Sequence, residues 1–199
     1  MSYNMVRQSE LTATLDLDPQ ATAVVLIDLQ EGVLGMPLEP HSGEEVLASA
    51  RALASHFRGR GAPVVIVTVA FPSADGPPVD APGPPMPDAM PAGWDQVADG
   101  LAEDDDIRVV KQGWGAFAST DLAARLKERG VDTIVLGGVA TNFGVEQTAR
   151  EAIASGFAVV VASDAASSVS ADHHEFAVQQ VLPLISRVRT VAELVSARR

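Results

Sequence analysis

The sequence predicts an α/β domain in which helices cover both faces of a parallel sheet. Two observations carry this expectation. Apolar runs rich in β-branched residues recur along the chain, and amphipathic helical stretches alternate with them. The strong runs are Ala23-Val24-Val25-Leu26-Ile27, Pro63 to Val69, Thr133-Ile134-Val135-Leu136 and Ala158 to Ala162. Weaker candidates are Ile107-Arg108-Val109-Val110 and Arg187 to Val191. Continuous runs without polar alternation suit strands buried on both faces.

Between the strands, Ser42 and Glu45 form a capping-box pair ahead of Val46, Leu47, Ala50, Leu53, Ala54 and Phe57, with Gly59 and Gly61 as the stop. Further helices are expected from Thr120-Asp121 to Gly130, from Asn142 to Ser155-Gly156, and from Ala171 to Leu182. Strand-helix alternation of this kind makes βαβ units. The 199 residues are expected to form one domain, 1–199. The proline-rich stretch 71–106, with Met86, Met90 and Trp94 to pack it down, is expected to be an ordered lid.

Composition removes several classes of function. A formal charge of -12 disfavours nucleic acid and anionic membrane as partners. No apolar run approaches the ~20 residues of a membrane span, and no secretory leader pattern opens the sequence, so a cytoplasmic location is expected. There is no cysteine, which excludes thiolate nucleophiles, thiolate metal ligands and disulfides.

In open parallel sheets the chemistry gathers beyond the carboxyl ends of the strands. Asp28 follows the first strand, Lys111 follows Ile107–Val110, and Gly137-Gly138-Val139-Ala140-Thr141-Asn142-Phe143-Gly144 leads from a strand into a helix. A carboxylate, a cation and backbone N–H groups at a helix start make a candidate hydrolytic site. Each alone has an ordinary structural explanation: a turn residue, a surface lysine, a tight glycine turn. Their coincidence at one end of one sheet favours the functional reading.

The block from Leu136 to Arg150 resembles the nucleophile segment of isochorismatase-like cysteine hydrolases, roughly G-V-x-T-x-x-C-V-x-x-T-A. Ile27-Asp28-Leu29-Gln30 resembles that superfamily's D-x-Q motif. Lys111 with Ala116-Phe117 and Thr120-Asp121-Leu122 resembles its lysine segment, and Asp164-Ala165 fits as well. The likeness spans about 21–191. It implies six parallel strands in the order 3-2-1-4-5-6, a cis Val139–Ala140 peptide, a homo-oligomer, and Asp28 and Lys111 as two members of a catalytic triad. The third position is Gly144, so the resemblance points to the branch that hydrolyses a vinyl ether without a covalent intermediate. Substrate-binding roles are expected for Gln30, Trp114, Phe117, Ala140, Asn142, Phe143 and Gly144. Because 70–107 carries no lysine or arginine, a neutral or weakly charged small-molecule substrate is favoured over a dianion.

Three readings stand side by side: a cysteine-independent hydrolase, a non-catalytic binding or structural protein on the same scaffold, and a flavin or dinucleotide binder. The last rests on Gly113-Trp114-Gly115-Ala116-Phe117-Ala118, which mimics a dinucleotide fingerprint but lacks an acidic residue ending the next strand. No cofactor and no metal are expected. His173 and His174, adjacent on a helix, point apart and are read as solvated surface. Glu103 to Asp106 is read as a solvated turn.

Overall fold

The computed structural model describes residues 15–70, 79–80 and 90–196. Six strands form one sheet: β1 (Thr22–Ile27), β2 (Val64–Val69), β3 (Ile107–Lys111), β4 (Thr133–Val139), β5 (Ala158–Ser167) and β6 (Arg187–Arg189). Their order is β3-β2-β1-β4-β5-β6 and every pairing is parallel. The expected fold and order are thus observed, and both weaker strand candidates belong to the sheet, one at each edge.

The helices are α1 (Glu31–Leu34), α2 (Gly43–Arg58), α3 (Leu122–Lys127), α4 (Glu146–Ala154), α5 (Ala171–Phe176) and α6 (Val191–Ser196). Alternate strand residues feed two cores. Val24, Leu26, Val64, Ile66, Val135 and Val160 meet α2 and α6, through Val46, Leu53, Phe57 and Leu194. Ala23, Val25, Ile27, Val65, Val67, Ile134, Leu136, Val159 and Val161 meet α3 and α4 on the other face. Burial on both sides explains why the central strands read as unbroken apolar runs. The edge strand β3 alternates instead, with Arg108 and Val110 turned outward.

The α2 start is as expected: Ser42 Oγ accepts from the Glu45 N–H, and Glu45 reaches back to the Ser42 N–H at 2.8 Å. The other helices depart in detail. The Asn142–Ser155 helix opens as a π turn, Thr141–Val145, before α4. The Ala171–Leu182 helix is α5, then a π turn over Ala177–Val181 and a 3-10 turn over Leu182–Leu184, where Pro183 has no N–H to continue a ladder. Strand β5 runs past Ala162 to Ser167, so Asp164 lies within it and accepts from the Val191 N–H at 2.7 Å, capping α6.

Of the expected lid, 71–78 and 81–89 lie outside the described residues. The 94–99 stretch is tied to the β1–α1 turn: the Gly32 N–H donates to the Trp94 carbonyl, the Glu31 N–H to the Gln96 carbonyl and the Ala98 N–H to the Leu29 carbonyl. The acidic turn is more than a solvated one. Asp106 is ion-paired with Arg58 at 2.7 Å and caps the Glu103 N–H.

Candidate active site

Two features bring the strand ends together. Strands β1 and β4 are neighbours in register, Leu26 beside Gly137 and Ile27 beside Gly138. Gly138 has φ 126°, and a Cβ there would collide with the Ile27 backbone, so only glycine allows this approach. Beyond this junction the chain reverses its direction of travel across the sheet, where ligands bind in such folds.

Asp28 sits there with φ 54°, the one non-glycine residue in the left-handed region among those described. Its N–H is held by the Val67 carbonyl at 2.9 Å. Its Oδ2 lies 2.7 Å from Lys111 Nζ, and Lys111 is 1% exposed. The Lys111 ammonium also donates to the Gly113 carbonyl at 3.0 Å. Asp28 Oδ1 is buried with no hydrogen-bond partner. Burial raises the Asp28 carboxyl to about 6; the charge and hydrogen bond of Lys111 pull it back only in part. A buried carboxyl group titrating just below neutrality, with one oxygen held and the other unpartnered, can take up and return a proton.

The segment after β4 faces this pair. The Val139–Ala140 peptide is cis. Gly144, in the π turn, is buried, and a Cβ on it would stand 3.5 Å from Asp28 Oδ2 and 3.1 Å from Ile27 Cγ2. A side chain at 144 would therefore point at the carboxylate. Ala140 and Asn142 are half-buried; the Asn142 Oδ1 accepts from Ser168 Oγ at 2.6 Å. Phe143 is partly exposed and stacks on Trp114 with ring centroids 4.8 Å apart; Trp114 is 65% exposed.

Two expected pocket residues lie elsewhere. Gln30 is fully buried and its carboxamide is consumed by backbone. It accepts from the Val69 N–H at 2.7 Å and donates to the Val69 and Asp95 carbonyls, each at 3.3 Å. It ties β1 to β2 and to the 90–106 segment. The Phe117 ring is in the core against Phe157, because its chain turns inward as the loop enters α3. Among the described residues no three His, Cys, Asp or Glu side chains converge as a metal site would need.

The sequence reading missed a layer behind the site. His174, expected on the surface, is 5% exposed, and its Nδ1 lies 2.8 Å from Thr141 Oγ1. The His41 ring meets it edge-on at 5.7 Å. Burial, then the His41 charge, lowers His174 to about 4. The available signal was the helical phase of His174, which it shares with buried Ala177 and not with exposed His173.

Residues 22–193 match the family model described as the isochorismatase domain. The chain belongs to the isochorismatase family. Among its relatives, the uncharacterized isochorismatase family protein YecD of Escherichia coli O157:H7 is 46% identical over 189 residues, covering 92% of this chain and 99% of that one. The uncharacterized isochorismatase family protein YwoC of Bacillus subtilis is 41% identical over 184 residues, covering 90% and 95%. An isochorismatase family protein of Burkholderia thailandensis, solved as a structure, superposes with a TM-score of 0.84 at 41% identity over 93% of this chain and 98% of that one. The sheet order and the isochorismatase-family hydrolase fold are therefore secure.

Proposed function

We propose that this isochorismatase-family protein is a cysteine-independent hydrolase of small molecules, with Asp28 as the proton-transfer group. The carrying observation is the buried Asp28–Lys111 contact at 2.7 Å with the buried Asp28 Oδ1 left without a hydrogen-bond partner. Gly144 supplies no nucleophile, so water makes the attack beside Asp28, on the side where a Cβ at 144 would come within 3.5 Å of Asp28 Oδ2.

With Asp28 titrating near 6 it is mostly ionised at neutral pH, which favours the base role. Asp28 takes a proton from water as its oxygen bonds to the carbonyl carbon of an amide or ester. The resulting oxyanion is met by the N–H groups of Ala140 and Gly144. As the bond to the leaving nitrogen or oxygen breaks, Asp28 returns the proton to that atom. Lys111 holds Asp28 in place and offsets its charge. The Trp114–Phe143 stack and Asn142 border the site and contact the non-reacting part of the substrate. Gln30 and Phe117 act only by holding the surrounding backbone and core.

Vinyl-ether hydrolysis is the second chemical route, and the Asp28 value separates the two. Protonating an enol-ether carbon needs the carboxylic acid form, so its rate would fall as pH rises through about 6, whereas the base route rises there. The non-catalytic alternative is favoured by one fact, the glycine at 144. A small-molecule hydrolysis screen with Asp28→Asn and Lys111→Ala beside the parent decides between enzyme and binder. Turnover that collapses in both folded variants supports the proposal, and turnover unaffected by both removes it.

A further inference from the structure

The loop 112–119 between β3 and α3 has no regular hydrogen-bond ladder, yet it carries two groups that matter. The Gly113 carbonyl is the second acceptor of Lys111 Nζ, and Trp114 stacks on Phe143. What holds this loop comes from α4. Glu151 Oε2 accepts from the Phe117 N–H at 2.9 Å and the Ala118 N–H at 3.0 Å, while Gln147 Nε2 donates to Glu151 Oε1 at 3.0 Å. One turn earlier, Thr148 Oγ1 accepts from the Ala116 N–H at 3.2 Å and donates to the Gly144 carbonyl at 2.6 Å. Residues 148 and 151 share a helix face, so one face of α4 receives three consecutive loop amides. Gly115 completes the fit: a Cβ there would collide with all three atoms of the Glu151 carboxylate.

We infer that Glu151 is a positioning residue for Lys111, clamping the 112–119 loop so that the ammonium stays enclosed between Asp28 and the Gly113 carbonyl. Glu151 touches neither Asp28 nor Lys111; it acts through the loop backbone. The clamp needs an oxygen that accepts two N–H groups and does not need a negative charge. Only the catalytic meaning of the clamp rests on the proposed hydrolase role; the enclosure of Lys111 is independent of it.

The chain has two lysines, Lys111 and Lys127, and Lys127 is exposed, so acetylation by an N-hydroxysuccinimide ester gives an internal ratio by mass spectrometry. Glu151→Ala removes the acceptor, and Gly115→Ala pushes the carboxylate aside by an unrelated route. Both are expected to speed Lys111 acetylation relative to Lys127 by about tenfold or more. Amide exchange across Val24–Ile27 should stay slow, which distinguishes loop opening from global unfolding. Glu151→Gln keeps a two-bond acceptor and is expected to stay within about twofold of the parent. Lys111 as slow in both alanine variants as in the parent overturns the inference, and so does a Glu151→Gln variant as reactive as Glu151→Ala. Full activity in Asp28→Asn would sink the hydrolase reading and leave the comparison of the Glu151 and Gly115 variants with the parent standing.

Discussion

Asp28 is pulled in opposite directions, by burial towards the acid form and by Lys111 towards the carboxylate, and burial wins. Its folded value is above the unfolded one, so ionisation opposes folding. That penalty, about 3 kcal/mol for a shift from 3.8 to about 6, is present above pH 6 and relieved as pH falls towards 4. In the proposed base role, kcat/KM rises along an acid limb with an apparent midpoint near 6, and Asp28→Asn loses between about 10²- and 10⁴-fold of activity, both read from pH–rate profiles. Lys111→Met removes the opposing charge and drives the Asp28 midpoint above 6, measurable by carboxyl carbon NMR. His174 has the reverse sign. Its folded value near 4 lies below the unfolded 6.5, so the unfolded chain takes a proton first and stability drains away as pH falls from 6.5 to 4. His174→Gln cannot protonate and should flatten that loss in urea titrations. Asp28 works against it over much of the same range, so the difference between variant and parent isolates the histidine. The sequence showed Asp28 and Lys111 because strand ends are where charged residues become informative. It did not show Gln30 spent on backbone, because a carboxamide that binds ligand and one that binds main chain look alike as letters.

At the scale of elements, the α2 cap and the β1–β4 junction give contrasting expectations. Ser42→Ala removes the cap to the Glu45 N–H and is expected to cost about 1 kcal/mol in chemical denaturation. Gly138→Ala meets both a positive φ and the Ile27 backbone, and is expected to cost far more, or to prevent folding, as seen by circular dichroism. Strands were legible because both faces of the sheet are covered, which leaves little room for polar letters. The π turn at Thr141–Val145 was not, since helical periodicity survives one widened turn. The overrun of β5 to Ser167 was hidden for a related reason. A register shift between Leu136 and Gly138 lets β5 continue through Ser163, Asp164 and Ser167, polar residues that read as a loop.

Across the whole molecule, a charge of -12 surrounds a site whose cation, Lys111, is already paired with Asp28. Anionic substrates are therefore repelled at long range and poorly neutralised on arrival. Rates for uncharged amides or esters are expected to be nearly independent of ionic strength. Any residual activity on carboxylated analogues should increase with salt, a comparison that kcat/KM measured from low to moderate salt would make. The parallel topology was legible from strand-helix alternation, and its order came through likeness to a known family. The sheet also divides in a particular way. Strands β3, β2 and β1 come from the chain before Glu128, β4, β5 and β6 from the chain after it, and the two halves of the sheet join along β1 and β4. Asp28 and Lys111 belong to the first half, Ala140 to Gly144 to the second. A nick in the turn between α3 and β4 would leave two three-stranded pieces that meet along β1 and β4, through α2 packed on β5 and α6, and through the Glu151 contacts to the 112–119 loop. The Asp28–Lys111 pair would stay with the first piece and the Ala140–Gly144 segment with the second, so neither would hold the whole candidate site, and its reappearance on mixing would report that the fragments had rejoined.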